Sequence, residues 1–311
     1  MTVSAPGPHG GDIERVARAL GVRPASLLDL SASLNPLAPD ITVMASRKLG
    51  SLRHYPDASE ATGLLAESIG VDRACVLLTN GGAEAISLLA AELGGRVVEP
   101  EFSLHPRSGS TSATVPLWRS NPHNPTGRLA ASTALADVWD EAFYPLATGQ
   151  WTRGDVAAGI STAVVGSLTK LFNCPGLRLG YVLADPALIA QLARRQPAWS
   201  VGSLALELLP DLLLVARERM PGWAAGIADL RHDLVSVLHA HGIDTEPSDA
   251  NFVLAQGPPD LRDRLLARGV VVRDCASFGL PHLVRIAVPD EAGLERLSAA
   301  LRHAVLASSV A

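Results

Sequence analysis

Ser167-Leu168-Thr169-Lys170, with Arg178 following in Pro175-Gly176-Leu177-Arg178-Leu179-Gly180-Tyr181, is the stretch of this chain best equipped for chemistry. The apolar run Ala163 to Val165 reads as a strand that delivers two hydroxyls, a lysine and then an arginine to one place. Such a set suits a lysine that holds an aldehyde as a Schiff base while hydroxyls and a cation grip a phosphate. A lone lysine after a strand is usually a solvated surface group, so the meaning of Lys170 depends on what else the chain supplies.

Pyridoxal phosphate chemistry needs more than the lysine. A carboxylate must keep the pyridine nitrogen protonated, a donor must address the ring oxygen, amides and a cation must hold the phosphate, and a flat group must cover the ring. The chain offers a candidate for each. Asn80-Gly81-Gly82-Ala83-Glu84 lies between a strand and a helix, where glycines allow close approach and the helix start presents N–H groups to an anion. Alone, that Gly-Gly is only a turn. Asn121-Pro122-His123-Asn124-Pro125-Thr126-Gly127 is a proline-rich turn whose Asn124 could reach the ring oxygen. Asp140, in Asp140-Glu141-Ala142-Phe143, ends a predicted strand and would face the crevice at the strand C-termini of an open sheet. Buried there, it needs a cationic partner, which a protonated pyridine nitrogen supplies; otherwise it is a helix cap or a solvated acid.

The elements that must position these residues follow from pattern. Asp12 is placed to cap a helix through about Leu20 with Gly21 as its stop. Short β-rich runs at 74–79, 96–99, 115–119, 136–139, 163–166 and 179–183 alternate with helical or irregular pieces. This predicts a mostly parallel α/β sheet covered on both faces. Residues 204–241 are strongly helical, and the runs at 251–254, 270–273 and 283–287 with helices at 259–268 and from Asp290 predict a small α+β domain. The expected organisation is an arm and small-domain segment at 1–45, a large domain at 46–203 and a small C-terminal domain at 204–311.

Composition narrows the class. The 311 residues suffice for one large domain or two ordinary ones, and a net charge of −5 argues against a general nucleic-acid binder. Cys75, Cys174 and Cys275 are dispersed and form no CxxC pair, which suggests neither zinc nor a disulfide framework and fits a cytoplasmic protein. No apolar stretch reads as a signal peptide or as a membrane span of about 18 residues.

In combination, NGGAEA, NPHNPTG, DEAF, SLTK with PGLRLGY, and ANF with VRIAV resemble the fold-type I pyridoxal phosphate enzymes of the aminotransferase class I/II superfamily, over nearly the whole chain. The branch resembled most is that of the threonine-phosphate decarboxylases, close to the histidinol-phosphate aminotransferases. Its markers are His9-Gly10-Gly11-Asp12, Leu30 to Pro36, Tyr55-Pro56-Asp57, Trp199-Ser200-Val201 and Arg273-Asp274-Cys275. The resemblance implies that Lys170 is the Schiff-base lysine, that Asp140 pairs with the pyridine nitrogen and that Asn124 pairs with the ring oxygen. Ser167, Thr169, Arg178 and the amides of Gly82 and Ala83 would hold the cofactor phosphate. Tyr55 would reach that phosphate from a second subunit of a homodimer. Arg285 would take a substrate carboxylate, and His9, Asn35 and Arg273 are candidates for a substrate phosphate.

The chain departs from this family in three places. His105, in Pro100-Glu101-Phe102-Ser103-Leu104-His105, stands where a ring-stacking aromatic is expected, with Phe102 as its rival. The stretch from Gly127 to Val138 is barely long enough for a crossover between parallel strands, so its helix is expected to be missing. The large-domain sheet is then expected to keep about six strands, one fewer than usual. Phe143 replaces a tyrosine common in relatives.

The resemblance implies a lyase that decarboxylates a phosphorylated amino acid, with O-phosphothreonine the leading substrate and aminopropanol phosphate, a corrin side-chain precursor, the product. An aminotransferase of the histidinol-phosphate type is the alternative, and a non-catalytic relative a third, which joint retention of Lys170, Asp140, Asn124, Arg178 and Arg285 argues against.

Overall fold

The computed structural model describes residues 10–109, 112, 114–153 and 162–305; His9 lies outside the described residues. Its strands in chain order are β1 (Leu28–Leu30), β2 (Val76–Asn80), β3 (Trp118–Ser120), β4 (Val138–Asp140), β5 (Ala163–Ser167), β6 (Leu179–Leu183), β7 (Asp244–Thr245), β8 (Phe252–Gln256), β9 (Val270–Asp274) and β10 (Leu283–Ala287).

One sheet has the order β2-β6-β5-β4-β3. Its β3–β4 and β4–β5 pairs are parallel, whereas β6 runs antiparallel to both β5 and β2. Four strands therefore run one way and β6 runs against them. The C-termini of β2, β3, β4 and β5 and the N-terminus of β6 consequently lie along the same sheet edge. Every residue of β4, β5 and β6 is buried, as expected of apolar strands covered on both faces. Helices Gly81–Leu93 and Pro186–Arg195 supply one cover, through a core that includes Leu89, Leu192 and Val165. The opposite core gathers Val164, Leu179 and Leu183 with Leu209 and Trp223.

The run expected at 96–99 contributes only a bridge from Arg96 to Leu117. Arg96 donates to Pro116 O at 2.9 Å and its carbonyl accepts from Trp118 N at 2.9 Å. Beyond that point Pro100 has no N–H with which to extend a ladder, so the sheet has five strands plus this bridge. Between β3 and β4, residues 121–137 contain no helix, so the crossover is the shortened one expected.

The second sheet has the order β1-β9-β10-β8-β7, with β1 parallel to β9 and the other pairs antiparallel. Helix Ser203–Ala240 ties the two sheets together. Over its 38 residues, about 57 Å of rise, Leu208, Leu212 and Trp223 enter the first core and Leu234 and Leu238 the second. None of the described helices is long and apolar enough to cross a membrane.

The first helix, Ile13–Leu20, ends at Gly21 in the left-handed region, φ 68°, as its sequence suggests. Asp12 precedes it but makes no side-chain cap, because its carboxylate accepts instead from Arg15 Nε at 2.9 Å.

Candidate active site

A phosphate-sized cradle forms where β2 meets helix Gly81–Leu93. Gly81 has φ +74°, a conformation that L side chains rarely adopt, and a Cβ there would overlap the Arg178 guanidinium. Gly180 is needed for the same close approach, since a Cβ on it would come within 2.6 Å of the Gly81 carbonyl carbon. Arg178 itself sits in the left-handed region at φ 54° and donates to Pro175 O at 3.2 Å, which folds it over the glycines. Asn80 places no side-chain cap on the helix and donates instead to Ser200 O at 2.9 Å. The first-turn amides of Gly82 and Ala83 are therefore left for an anion. Glu84 braces the turn, accepting from Asn80 N at 2.7 Å, Gln196 Nε2 at 3.0 Å and the Ser200 hydroxyl. Ser167 ends β5 and Thr169 lies in the turn of helix that follows; their hydroxyls lie 2.9 Å apart and are buried.

Lys170 follows in the short helix Leu168–Leu171, its Nζ 5.8 Å from the Phe143 ring. Burial, then Arg285 and Arg178, lower its amine from the ordinary lysine value to about 8, against the opposing pull of Asp140 and Asp29. Roughly a tenth of the amine is then neutral at pH 7, against less than about 0.1% for an ordinary lysine. A lysine so placed is a nucleophile rather than a surface cation.

Asp140 is the last residue of β4 and is buried. One oxygen accepts from Ala142 N at 3.0 Å and the other lies 3.0 Å from His105 Nε2. His105 is fully buried. It meets Trp118 at 5.4 Å between centroids and Phe102 edge-on at 5.6 Å. Its ring is thus tied edge-on to the Asp140 carboxylate as well as packed among aromatics. Behind it stands Glu101, buried, which accepts from Phe102 N at 2.8 Å, Ser120 N at 2.9 Å and the Ser120 hydroxyl.

Asn124 and Arg285 meet from different sheets. Arg285 Nη1 donates to Asn124 Oδ1 at 2.6 Å, and the guanidinium lies 4.6 Å from the Phe252 ring centroid. Burial is the main cause that lowers Arg285 to about 10; Cys275 opposes the shift and Arg273 adds to it. Arg285 and Arg273 are register partners across β9 and β10, and both are buried. Arg273 Nη2 donates to Ser277 Oγ at 2.7 Å. Burial lowers the Arg273 guanidinium too, chiefly against Cys275, Asp274 and Asp12. Among the described residues no carboxylate forms an ion pair with Arg285, which leaves a buried cation for an incoming anion.

Two expected residues are placed differently from the rest. Asn35 is fully buried and its amide serves the backbone, donating to Leu171 O at 2.9 Å and accepting from Leu37 N at 2.9 Å. Its own N–H donates to Lys170 O at 3.1 Å. Through these three bonds Asn35 pins the helix that carries Lys170. Tyr55 stands 79% exposed with its ring 4.5 Å from Trp199, and makes no hydrogen bond to the cradle of its own chain. Glu101 and Asp29 carry no functional signal in the sequence, and Glu84 appears there only within the Asn80–Glu84 turn. The burial of Glu101 behind His105 is shown by the fold alone.

The arrangement unites a depressed lysine, an anion cradle that a Cβ would fill, a buried carboxylate at a strand end and paired arginines. These residues fit pyridoxal 5′-phosphate: the cradle suits its phosphate, Asp140 its ring nitrogen and Lys170 its aldehyde. That combination on this fold defines a fold-type I enzyme. Residues 109–301 match the family Aminotransferase class I and II, and the chain belongs to it. It is 30% identical to the threonine-phosphate decarboxylase of Salmonella typhimurium, over 95% of this chain and 96% of that protein. It is 28% identical to histidinol-phosphate aminotransferase 2 of Pseudomonas aeruginosa, over 94% of each. The fold is shared with the histidinol-phosphate aminotransferase of Sinorhizobium meliloti, solved in complex with pyridoxal-5′-phosphate, at a TM-score of 0.80 and 16% identity over 98% of this chain and 96% of that one.

Proposed function

We propose that the chain is a pyridoxal phosphate-dependent decarboxylase of a phosphorylated amino acid, converting L-threonine O-3-phosphate to (R)-1-amino-2-propanol phosphate in cobalamin biosynthesis. The observation that carries this reading is the register pairing of buried Arg273 with Arg285, the latter near enough to Lys170 to lower its amine. Two neighbouring buried cations suit a substrate that bears two anions, here a carboxylate and a phosphate. Histidinol phosphate bears only one of these.

When bound, pyridoxal phosphate supplies an aldehyde for the substrate amine and a ring that accepts the electron pair left at Cα. The chain does the rest. Ser167, Thr169, Arg178 and the amides of Gly82 and Ala83 fix the phosphate, and Asp140 keeps the ring nitrogen protonated. Asn124 faces the ring oxygen, and Phe102 or His105 lies against the ring. Arg285 orients the substrate carboxylate and Arg273 its phosphate. Lys170, poised near 8, returns a proton to Cα after CO2 leaves.

The exposed rings of Tyr55 and Trp199, with exposed Leu49 and Leu52 nearby in sequence, support a homodimer in which Tyr55 reaches the partner's cofactor phosphate. A cytoplasmic enzyme with separate domains at 1–45, 46–203 and 204–311 completes the reading.

Similarity to a histidinol-phosphate aminotransferase at 28% identity favours a second reading, transamination at the same groups. The two readings part on products. Incubation with O-phosphothreonine is expected to yield the phosphorylated amine. Conversion of histidinol phosphate with 2-oxoglutarate, and no amine from O-phosphothreonine, would overturn the decarboxylase.

A further inference from the structure

Glu101 is a buried carboxylate that the proposed reaction leaves unused. It is 2% exposed and lies behind His105 on the side away from Asp140. His105 Nε2 is 3.0 Å from Asp140 Oδ2, and its Nδ1 is 3.7 Å from Glu101 Oε1. That Nδ1 is buried and has no hydrogen-bond partner. The imidazole therefore stands between two carboxylates in the buried interior.

Arg107 and Glu99 also carry charge near this ring. Arg107 donates to His105 O at 2.8 Å and to Glu101 O at 3.0 Å, and it pairs with Glu99 through Nε at 2.6 Å. The carboxylates nearest the two ring nitrogens are Glu101 on one side and Asp140 on the other.

We propose that Glu101 is a positioning residue that holds His105 as an imidazolium, with one N–H toward each carboxylate. A neutral ring that donated to Asp140 would turn the Nδ1 lone pair toward the Glu101 oxygens, two acceptors facing each other without a proton. The imidazolium removes that conflict. Glu101 also balances its charge, so that Asp140 keeps a full negative charge for a cationic ligand in the crevice. Through Ser120 the same carboxylate reaches Asn124, whose N–H donates to Ser120 Oγ at 3.2 Å. One buried glutamate thus braces both groups that would grip the cofactor ring. Its consequence for the cofactor rests on the proposed role of Asp140; the protonation state of His105 does not.

The test is nitrogen-15 NMR of the histidine side chains in the full chain, with and without pyridoxal phosphate, His105 being assigned from the spectrum of His105→Asn. Both ring nitrogens of His105 are expected to be protonated near neutral pH in the cofactor-free chain, and only one in Glu101→Gln. A single protonated nitrogen in the unsubstituted chain, or two in Glu101→Gln, overturns the proposal. The unsubstituted spectrum decides the matter if Glu101→Gln fails to fold. Cofactor dissociation supplies a second arm. Glu101→Gln is expected to weaken pyridoxal phosphate binding about tenfold when His105 is present and to change it little in a His105→Asn background. Equal losses in both backgrounds would make Glu101 a scaffold for Ser120 and Phe102 alone and contradict the proposal. Failure of the chain to bind pyridoxal phosphate at all would sink the functional reading and leave the NMR result standing.

Discussion

Arg285 donates to Asn124 Oδ1 at 2.6 Å and so joins β10 of one sheet to the turn that follows β3 of the other. The bond makes one unit of the group proposed to orient the substrate and the group proposed to face the cofactor ring, placed over the edge where the strand ends converge. Lysine at 285 offers a point charge without the planar fork. Arg285→Lys is expected to lower kcat/KM by roughly 100-fold while the bound cofactor content stays near that of the unsubstituted enzyme. Steady-state kinetics beside cofactor absorbance check this. Equal activity of the lysine variant would remove Arg285 from substrate binding.

Lys170 carries a pH signature. Its folded amine lies near 8 and the unfolded one at the ordinary value of 10.5. Between these values the unfolded chain binds more protons, so stability rises with pH across that window and is flat below it. The cofactor-free protein is therefore expected to gain on the order of 2–3 kcal/mol between about pH 8 and 10.5, relative to Lys170→Met. Denaturant midpoints measured at several pH values for both proteins give the result; parallel curves would place the lysine in solvent. The same variant is expected to lose all turnover.

At the cradle, space decides. Gly81→Ala places a methyl group on the Arg178 guanidinium and strains a φ of +74°. Pyridoxal phosphate affinity is expected to fall by about tenfold or more, with a modest loss of stability. Equilibrium dialysis of the cofactor reads this directly, and unchanged affinity would show that the phosphate lies elsewhere.

Tyr55, Trp199, Leu49 and Leu52 expose 79%, 60%, 52% and 63% of their surface, a concentration unusual for a free monomer face. Sedimentation is expected to find a dimer. Leu52→Glu is expected to shift it toward monomer and to weaken cofactor retention in step, as the proposed reach of Tyr55 across the interface requires. A monomeric unsubstituted chain that holds the cofactor fully would contradict the shared site.

What was legible in the sequence was local. The order Asn80 to Glu84, Asn124, Asp140, then Ser167 to Arg178 can be read as strand ends because each group directly follows an apolar run, and the sheet topology brings those ends to one edge. Asn35 illustrates the limit. Only the fold shows that its amide serves the backbone of Leu171 and Leu37. Glu101 shows the reverse, since nothing in the spacing says that a glutamate beside a proline will be buried behind His105. The run at 96–99 has β character yet pairs only at Arg96, because a strand needs a partner with free donors and Pro100 ends the supply.

The account stands most directly on CO2. The holoenzyme is to be given carboxyl-labelled O-phosphothreonine with no 2-oxo acid, and labelled CO2 followed over many turnovers beside Lys170→Ala. Continuous release by the enzyme and none by the variant is the predicted result. No labelled CO2 from cofactor-loaded enzyme, with amino transfer to 2-oxoglutarate from the same preparation, would contradict it.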